Sequence, residues 1–251
     1  MVALWVIVMA VGLVGMIVCS KKQKTNPAMQ PVGILLFIVV LIGAVMLLKS
    51  MDVFGGGSSS VLNSEMRFAE SRGVKIAKYV AGIAGGKEVL FIVDKNYEQG
   101  DLGKRVVEAL KKNCGGTLVL DSIPVPADAE ANGTPIEEFM KASHMDALLA
   151  KHPNAAVIVS NIGLPQDAAK MAYFKAPAAA RPKMVLMNAG FVTNFDFLKA
   201  LQKGDIEAVI VTSPSAKYDI KAPGDLDKAF DIRYVLVTKA NADQYKDQLP
   251  R

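Results

Sequence analysis

Two long uncharged stretches open the chain, with a short basic loop between them. Residues 2–19 and 31–48 contain no charged side chain, and three lysines lie in the loop at 21–24. A buried helix of a globular domain normally keeps a polar stripe, and neither stretch has one. Each is 18 residues long, which at 1.5 Å per residue gives about 27 Å, close to the hydrocarbon core of a bilayer. The pattern predicts a hairpin of two transmembrane helices over residues 1–49.

The lysines also predict an orientation for this hairpin. Loops on the cytoplasmic side carry an excess of Lys and Arg, which places the loop at 21–24 inside. Basic residues follow the first stretch instead of preceding it, which argues against a cleaved signal peptide. We therefore expect a two-pass protein of the plasma (inner) membrane, with its soluble domain facing the periplasm or the cell exterior.

After the second stretch, the pattern changes to a glycine- and serine-rich segment and then to alternating helices and strands. Residues 55–60 are three glycines and three serines, which predicts a flexible linker over 50–63. From residue 64, amphipathic helical patterns alternate with short Val/Ile/Leu runs, as in a parallel sheet covered on both faces. We predict one α/β domain over residues 64–251, with a doubly wound, mostly parallel, Rossmann-like sheet. The predicted strands lie at 89–93, 117–120, 155–159, 184–187, 208–211 and 234–237.

Charge and cysteine content exclude some partners. The net charge is +5, but residues after position 64 include 25 basic and 23 acidic side chains. No basic run stands out among them, so we expect no nucleic-acid partner. The two cysteines, Cys19 and Cys114, cannot build a disulfide framework.

Small polar residues follow the predicted strands. In doubly wound sheets, ligands bind beyond the carboxyl ends of the strands at the switch point, here expected between the first and third strands. The candidate ligand-binding residues are Asp94, Asn96, Tyr97, Ser160, Asn161, Asn188 and Thr212. Loops after buried strands are commonly polar without any ligand, so both interpretations stay open.

Several kinds of chemistry lack the residues they need. The turn after the first strand has no glycine fingerprint and the chain has no GxxxxGK[ST] motif, so no cofactor is expected. The histidines His144 and His152 are interpreted as solvated surface residues, and no metal site is expected. Ser213 lacks the glycine-flanked elbow of a hydrolase, and Asp101 is interpreted as a helix cap. No catalytic constellation emerges, so we do not expect an enzyme.

One segment resembles a known family. Residues 88–126 read EVLFIVDKNYEQGDLGKRVVEALKKNCGGTLVLDSIPVP. The order of strand, aspartate, tyrosine-glycine turn, GxxxxxALK helix, Gly-Gly stop and proline-rich turn resembles one lobe of the type I periplasmic binding proteins, in the branched-chain amino-acid receptor group. The matching positions are Asp94, Tyr97, Gly103, Ala109-Leu110-Lys111, Gly115-Gly116 and Pro124. The resemblance implies a solute-binding fold, although the family encloses its solutes between two lobes and this chain has room for one.

Two functional classes follow from these patterns. The first is a membrane-anchored extracytoplasmic binding or interaction module that senses a small solute or docks a partner, with a homodimer supplying a second wall to the site. The alternative is a structural subunit of a membrane protein complex without a ligand of its own. In that case Gly12, Gly15 and Gly43 would permit close packing between helices.

Overall fold

The computed structural model describes residues 2–23, 29–50, 56–190, 192 and 195–250. The chain divides into two compact units, Met1–Asn63 and Ser64–Arg251. Helix α1 comprises Val2–Gln23, α2 comprises Met29–Ser50, and α3 comprises Gly56–Ala84.

In the first unit, α1 and α2 pack closely through glycines. A Cβ atom at Gly12 would lie 2.5 Å from Cγ2 of Val40, and one at Gly15 would lie 2.9 Å from Cδ1 of Leu36. A side chain at either position would require Val40 or Leu36 to shift, so the two glycines permit α1 and α2 to approach closely.

The prediction of two transmembrane helices is wrong. A helix that crosses a bilayer needs about 20 consecutive, predominantly apolar residues. Over the part of the chain that the structure describes, no helix has the length and apolarity for this. The predicted two-pass location in the inner membrane is wrong for the same reason, and the membrane as a partner finds no support.

The predicted flexible linker is also corrected in part. Residues 51–55 lie outside the described residues, but 56–63 are the first turns of α3. Extending an existing helix costs far less than nucleating one. The glycines and serines at 56–60 can therefore be helical ahead of the strongly amphipathic segment that follows.

Six short strands form one sheet in the second unit. They are β1 (Val89–Ile92), β2 (Leu118–Asp121), β3 (Val157–Ser160), β4 (Lys183–Leu186), β5 (Ala208–Thr212) and β6 (Tyr234–Thr238). Their order is β2-β1-β3-β4-β5-β6. Strands β1 to β5 are parallel, and β6 is antiparallel to β5. The predicted α/β class with a mostly parallel sheet is confirmed, and the switch point lies between β1 and β3.

Helices cover both faces of this sheet. Besides α3, they are α4 (Asp101–Asn113), α5 (Ala127–Asn132), α6 (Ile136–Phe139), α7 (Ala142–Ala150), α8 (Ala172–Lys175), α9 (Phe197–Lys203) and α10 (Leu226–Arg233). Helices α3, α4 and α10 pack around Phe91 and Val159, whereas α7 and α9 pack around Leu90 and Ile158 on the opposite face. Consecutive residues of a strand thus point into two separate cores, because side chains alternate between the two faces of a sheet.

Two stretches with a helical pattern in the sequence are divided in the structure. Residues 136–148 are split between α6 and α7, and residues 167–174 form a 3-10 turn at Ala168–Lys170 followed by α8. The reason is mutual capping. Asp167 accepts a hydrogen bond from the N–H of Ala142 at 2.7 Å, and Asp146 accepts from the N–H of Ala172 at 2.9 Å. These carboxylates satisfy amides that begin a new helix and have no partner within it.

Candidate binding site at the carboxyl edge of the sheet

A small cavity lies at the carboxyl edge of the sheet, next to the switch point. Its volume is about 180 Å³. Helix α3, the first turns of α4, the loop after β3 and the start of β6 supply its walls. The lining residues are Glu65, Ala69, Arg72, Leu102, Gly103, Val106, Asn161 and Tyr234. In this class of sheet, the carboxyl edge at the switch point is where ligands bind. We call this space the edge cavity.

Arg72 brings a charge to the wall of the edge cavity. Its Nη2 donates to the carbonyl oxygen of Met187, which directly follows β4. Its Cζ lies 5.5 Å from the centroid of the Tyr234 ring. Its Nε is buried and has no hydrogen-bond partner among the described residues. Burial lowers the pKa of Arg72 because desolvation disfavours the charged form, but an arginine side chain remains protonated in proteins.

The other two deeply placed arginines differ from Arg72 in having carboxylate partners. Arg181 pairs with Asp205, and Nη1 of Arg233 lies 2.7 Å from Oε2 of Glu65. Nε of Arg181 also lacks a partner, so an unpaired Nε alone does not distinguish Arg72. The difference is charge, since no carboxylate of the described chain forms an ion pair with Arg72. Glu65 lines the edge cavity too, but Arg233 neutralises it.

The first turn of α4 forms a second wall. Asp101, interpreted from sequence as the cap, is instead the first helical residue, and Gly100 is the N-cap without a side-chain hydrogen bond. Gly103 permits a close approach, because a Cβ atom there would lie 2.7 Å from the carbonyl oxygen of Tyr97. N–H groups at the beginning of a helix attract negative charge.

Of the seven residues predicted from sequence, Asn161 lines the edge cavity. Three others form the turn after β1. Oδ1 of Asp94 accepts from the N–H of Asn96 at 2.7 Å, and Oδ1 of Asn96 accepts from Nε2 of Gln99 at 3.2 Å. The hydroxyl of Tyr97 donates to Glu98 at 2.9 Å. These bonds shape the turn, and the binding role of its residues stays a prediction.

The remaining three predicted residues also lie at strand ends. The buried hydroxyl of Ser160 donates to the carbonyl of Gly163 at 2.7 Å. Oδ1 of Asn188 accepts from the N–H of Gly190 at 3.0 Å. Thr212 is exposed and pairs with Tyr234 between β5 and β6. The structure thus places them at the expected edge, outside the lining of the edge cavity, and their binding role stays a prediction as well.

Sequence reasoning missed Arg72 because it searched for ligand residues in the loops after strands. Arg72 lies on a helix that precedes the first strand. A signal was nevertheless present. Arg72 is four residues after Phe68 and four before Ile76, and both of these are fully buried. It therefore lies on the apolar stripe of α3, where a charge is costly unless something compensates it.

A larger cavity, of about 550 Å³, lies between the start of α9 and the C-terminal segment. Its wall is mainly apolar and includes Phe197 and Leu249. Asp196 in this wall is already engaged, since it caps α9 by accepting from the N–H of Lys199 at 2.9 Å. The edge cavity lies at the carboxyl edge of the sheet, where doubly wound folds bind their ligands, and is therefore our candidate site.

His152 is not the solvated residue that the sequence suggested. Its Nε2 lies 2.8 Å from Oδ2 of Asp121, at the end of β2. Burial raises the pKa of Asp121, but hydrogen bonds from His152 and from the N–H of Ser122 outweigh burial and lower it below its usual value. Within the described ranges, no group of three or more His, Cys, Asp or Glu side chains could hold a metal ion.

No protein-family model matches the sequence, and no curated protein matches it. Solved structures with a similar fold include a carbohydrate transporter from Acidothermus cellulolyticus in complex with myo-inositol, which is 13% identical with a TM-score of 0.44. An arabinose-binding protein from Geobacillus stearothermophilus is 15% identical with a TM-score of 0.43. A solute-binding protein of an ABC transporter from Burkholderia graminis, in complex with D-arabinose, is 20% identical with a TM-score of 0.43.

These similarities cover 71%, 70% and 70% of this chain, and 60%, 63% and 61% of the three other chains in the same order. The chain thus spans less than two thirds of each of these proteins. They are of the solute-binding type that the sequence resembles, whereas a membrane anchor, a homodimer and a subunit of a membrane complex find no support in them.

Proposed function

We propose that the second unit, residues 64–251, is a binding module for a small solute, and that the solute occupies the edge cavity. The observation that most directly supports this proposal is the position of Arg72, which lies in the wall of a cavity beside the switch point of a doubly wound sheet. Its guanidinium is anchored on one side by the Met187 carbonyl and has no carboxylate partner among the described residues. A binding site of this kind needs a few fixed polar groups in an otherwise apolar wall.

The composition of the wall supports this proposal. Leu102 and Val106 supply apolar surface, while Arg72 and Asn161 supply polar groups. Asn161 is fixed in position because its backbone N–H donates to the carbonyl of Ile92 at 2.9 Å, continuing the ladder between β1 and β3. The polar groups are thus attached to rigid elements, which favours a preorganised site.

The volume indicates the size of a solute that fits entirely inside the edge cavity. A water molecule occupies about 30 Å³ in the liquid, so a cavity of about 180 Å³ corresponds to about six waters. The solute is accordingly a molecule of about six non-hydrogen atoms, or a larger one that projects past Leu102, whose side chain is exposed at the rim.

A thermal-shift screen of the full chain tests the proposal. Tyrosine fluorescence is a suitable signal because all six tyrosines lie in the second unit. We expect at least one of a set of small acids, amides, polyols and sugars to raise the melting temperature, as a ligand that binds only the folded state must. Asn161→Ala should weaken this effect.

Asn154→Ala is the matched control. Asn154 is exposed in the turn before β3, outside the lining of the edge cavity. The proposal is contradicted if no compound stabilises the protein, or if a stabilising compound is affected by Asn154→Ala and not by Asn161→Ala.

A further inference from the structure

We infer that the solute of the edge cavity is a small carboxylate whose negative charge is bound by Arg72. This inference rests on the proposed function and goes beyond it by naming the ligand class. Three features meet around this one small cavity and support the inference. They are the Arg72 guanidinium without a carboxylate partner, the first turn of α4 without a side-chain cap, and the apolar side chains of Leu102 and Val106.

The first step concerns charge. Holding a cation in a partly desolvated position without a counter-charge is energetically costly, and Arg181 and Arg233 avoid this cost through Asp205 and Glu65. In the described structure, Arg72 has a carbonyl oxygen and an aromatic face beside it but no carboxylate. An anionic ligand supplies the missing charge, whereas an ammonium group adds a second positive charge to the same wall.

The second step concerns hydrogen bonding. Nη2 of Arg72 is bonded to Met187, while Nε lacks an acceptor among the described residues. Nε is buried, so a ligand in the edge cavity is bound by the other N–H groups of the guanidinium. A planar carboxylate suits this geometry because its two oxygens match the planar fork of a guanidinium.

The third step concerns the opposite wall. Gly103 belongs to the first turn of α4, whose N-cap, Gly100, provides no side-chain oxygen. Amide groups there add a favourable field for an anion. The carboxylate of Asp101 lies in the same turn and reduces that field, which makes Arg72 the main source of attraction.

The fourth step concerns size and shape. About six non-hydrogen atoms fill the cavity, which matches an acid of three or four carbons. Leu102 and Val106 offer a surface for its alkyl part, and the Asn161 amide can bond a hydroxyl or keto oxygen. A short aliphatic acid therefore suits Arg72, Asn161 and the apolar part of the wall, while the Glu65 carboxylate in the same wall is paired with Arg233.

Matched pairs of acid and amide separate charge from shape. Butyrate and butyramide, and lactate and lactamide, have nearly equal size and differ in charge. We expect each acid to bind the full chain about tenfold to a hundredfold more tightly than its amide at constant ionic strength, as a charged hydrogen bond implies. Calorimetry or ligand-observed NMR measures the two affinities, and inorganic phosphate in a parallel titration tests for a general anion site.

Arg72→Gln should abolish the preference for the acid. Arg105→Gln is the matched control, because Arg105 is exposed on α4 and lies outside the lining of the edge cavity. It removes the same charge from the protein and should leave the preference intact. If Arg72→Gln does not fold, the acid–amide comparison on the unmodified chain still decides the question.

The outcomes separate this inference from the proposed function. If amides or sugars bind as tightly as acids and Asn161→Ala weakens them, the solute-binding function stands and the carboxylate class is refuted. Phosphate binding more tightly than either acid also refutes the carboxylate class. Equal loss of the preference in Arg72→Gln and Arg105→Gln shows an unspecific charge effect and refutes the role of Arg72. If nothing in the screen binds, the proposed function itself fails.

Discussion

Replacing Gly163 by alanine should destabilise the second unit more than replacing Gly133. Both glycines have a positive φ, 76° and 62° respectively. A residue with a Cβ atom pays about 1–2 kcal/mol in this left-handed conformation. That cost is common to both substitutions, so the difference between them measures what surrounds each position.

The surroundings differ sharply. A Cβ atom at Gly163 would lie 2.6 Å from Cα and 2.7 Å from N of Gly190, whereas one at Gly133 would meet nothing within 4 Å. Backbone atoms cannot swing aside as the end of a side chain can, so the loops after β3 and β4 would have to separate. Overpacking of this kind costs about 1–3 kcal/mol. We expect a loss of about 1–2 kcal/mol for Gly133→Ala and about 2–5 kcal/mol for Gly163→Ala.

Urea denaturation measures both losses. Tyrosine fluorescence follows the second unit, because the single tryptophan, Trp5, belongs to the first. The slope of the unfolding free energy against urea should not change, which would show that stability alone is altered. If the two variants lose the same free energy within about 0.5 kcal/mol, the close contact between the loops imposes no constraint, and the reasoning is refuted.

Two other predictions concern side-chain pairs. Arg233→Met should lower the free energy of unfolding by about 2–4 kcal/mol, because it removes a guanidinium 3.4 Å from the centroid of the Phe68 ring and leaves Glu65 unpaired. The estimate lies below that for a fully buried pair since the Glu65 side chain is 42% exposed, and a loss under about 1 kcal/mol in urea would contradict it. His152→Ala should raise the pKa of Asp121, which His152 helps to hold below its usual 3.8. A carboxyl whose pKa is lowered by folding adds stability above its unfolded pKa, and this stability is lost as the pH falls through the folded pKa. The variant should therefore lose less stability on acidification. NMR titration of the Asp121 carboxyl checks this, and an unchanged pKa would show that the pair has no effect.

The sheet was largely predictable from sequence, whereas the helix boundaries were less so. The strands are rich in Val, Ile, Leu and Phe, as a covered parallel sheet requires, and all six predicted runs contain an observed strand core. The breaks between α6 and α7 and before α8 depend on Asp167 and Asp146, each of which caps a segment more than 20 positions away. Local periodicity contains no information about such partners.

The candidate site was predictable only where it depends on the strand ends. Asn161 follows β3, and the rule for doubly wound sheets was sufficient to find it. Arg72 and Tyr234 enter the same wall from positions 89 residues before and 73 residues after Asn161 in the sequence. Their meeting depends on how α3 and β6 lie against the sheet, which is a tertiary property. The one local sign of this arrangement in the sequence was the charge of Arg72 on the apolar stripe of α3.

The hydrogen bonding and charge of Arg72 argue against a purely structural role for this residue. Arg67, five residues earlier on α3, shows what such a role looks like, since its Nε donates to the carbonyl of Pro223 at 3.1 Å and its Nη2 to that of Gly224. Both bonds tie α3 to the loop before α10 and leave Nε satisfied. Arg72 ties α3 to the end of β4 with a single bond to Met187, and it keeps a buried donor and a full charge without a carboxylate partner in the described chain. A methionine of similar length would fill the same place without that cost. The charge of Arg72 is explained more simply by something that enters the edge cavity than by anything that Arg72 does for the fold.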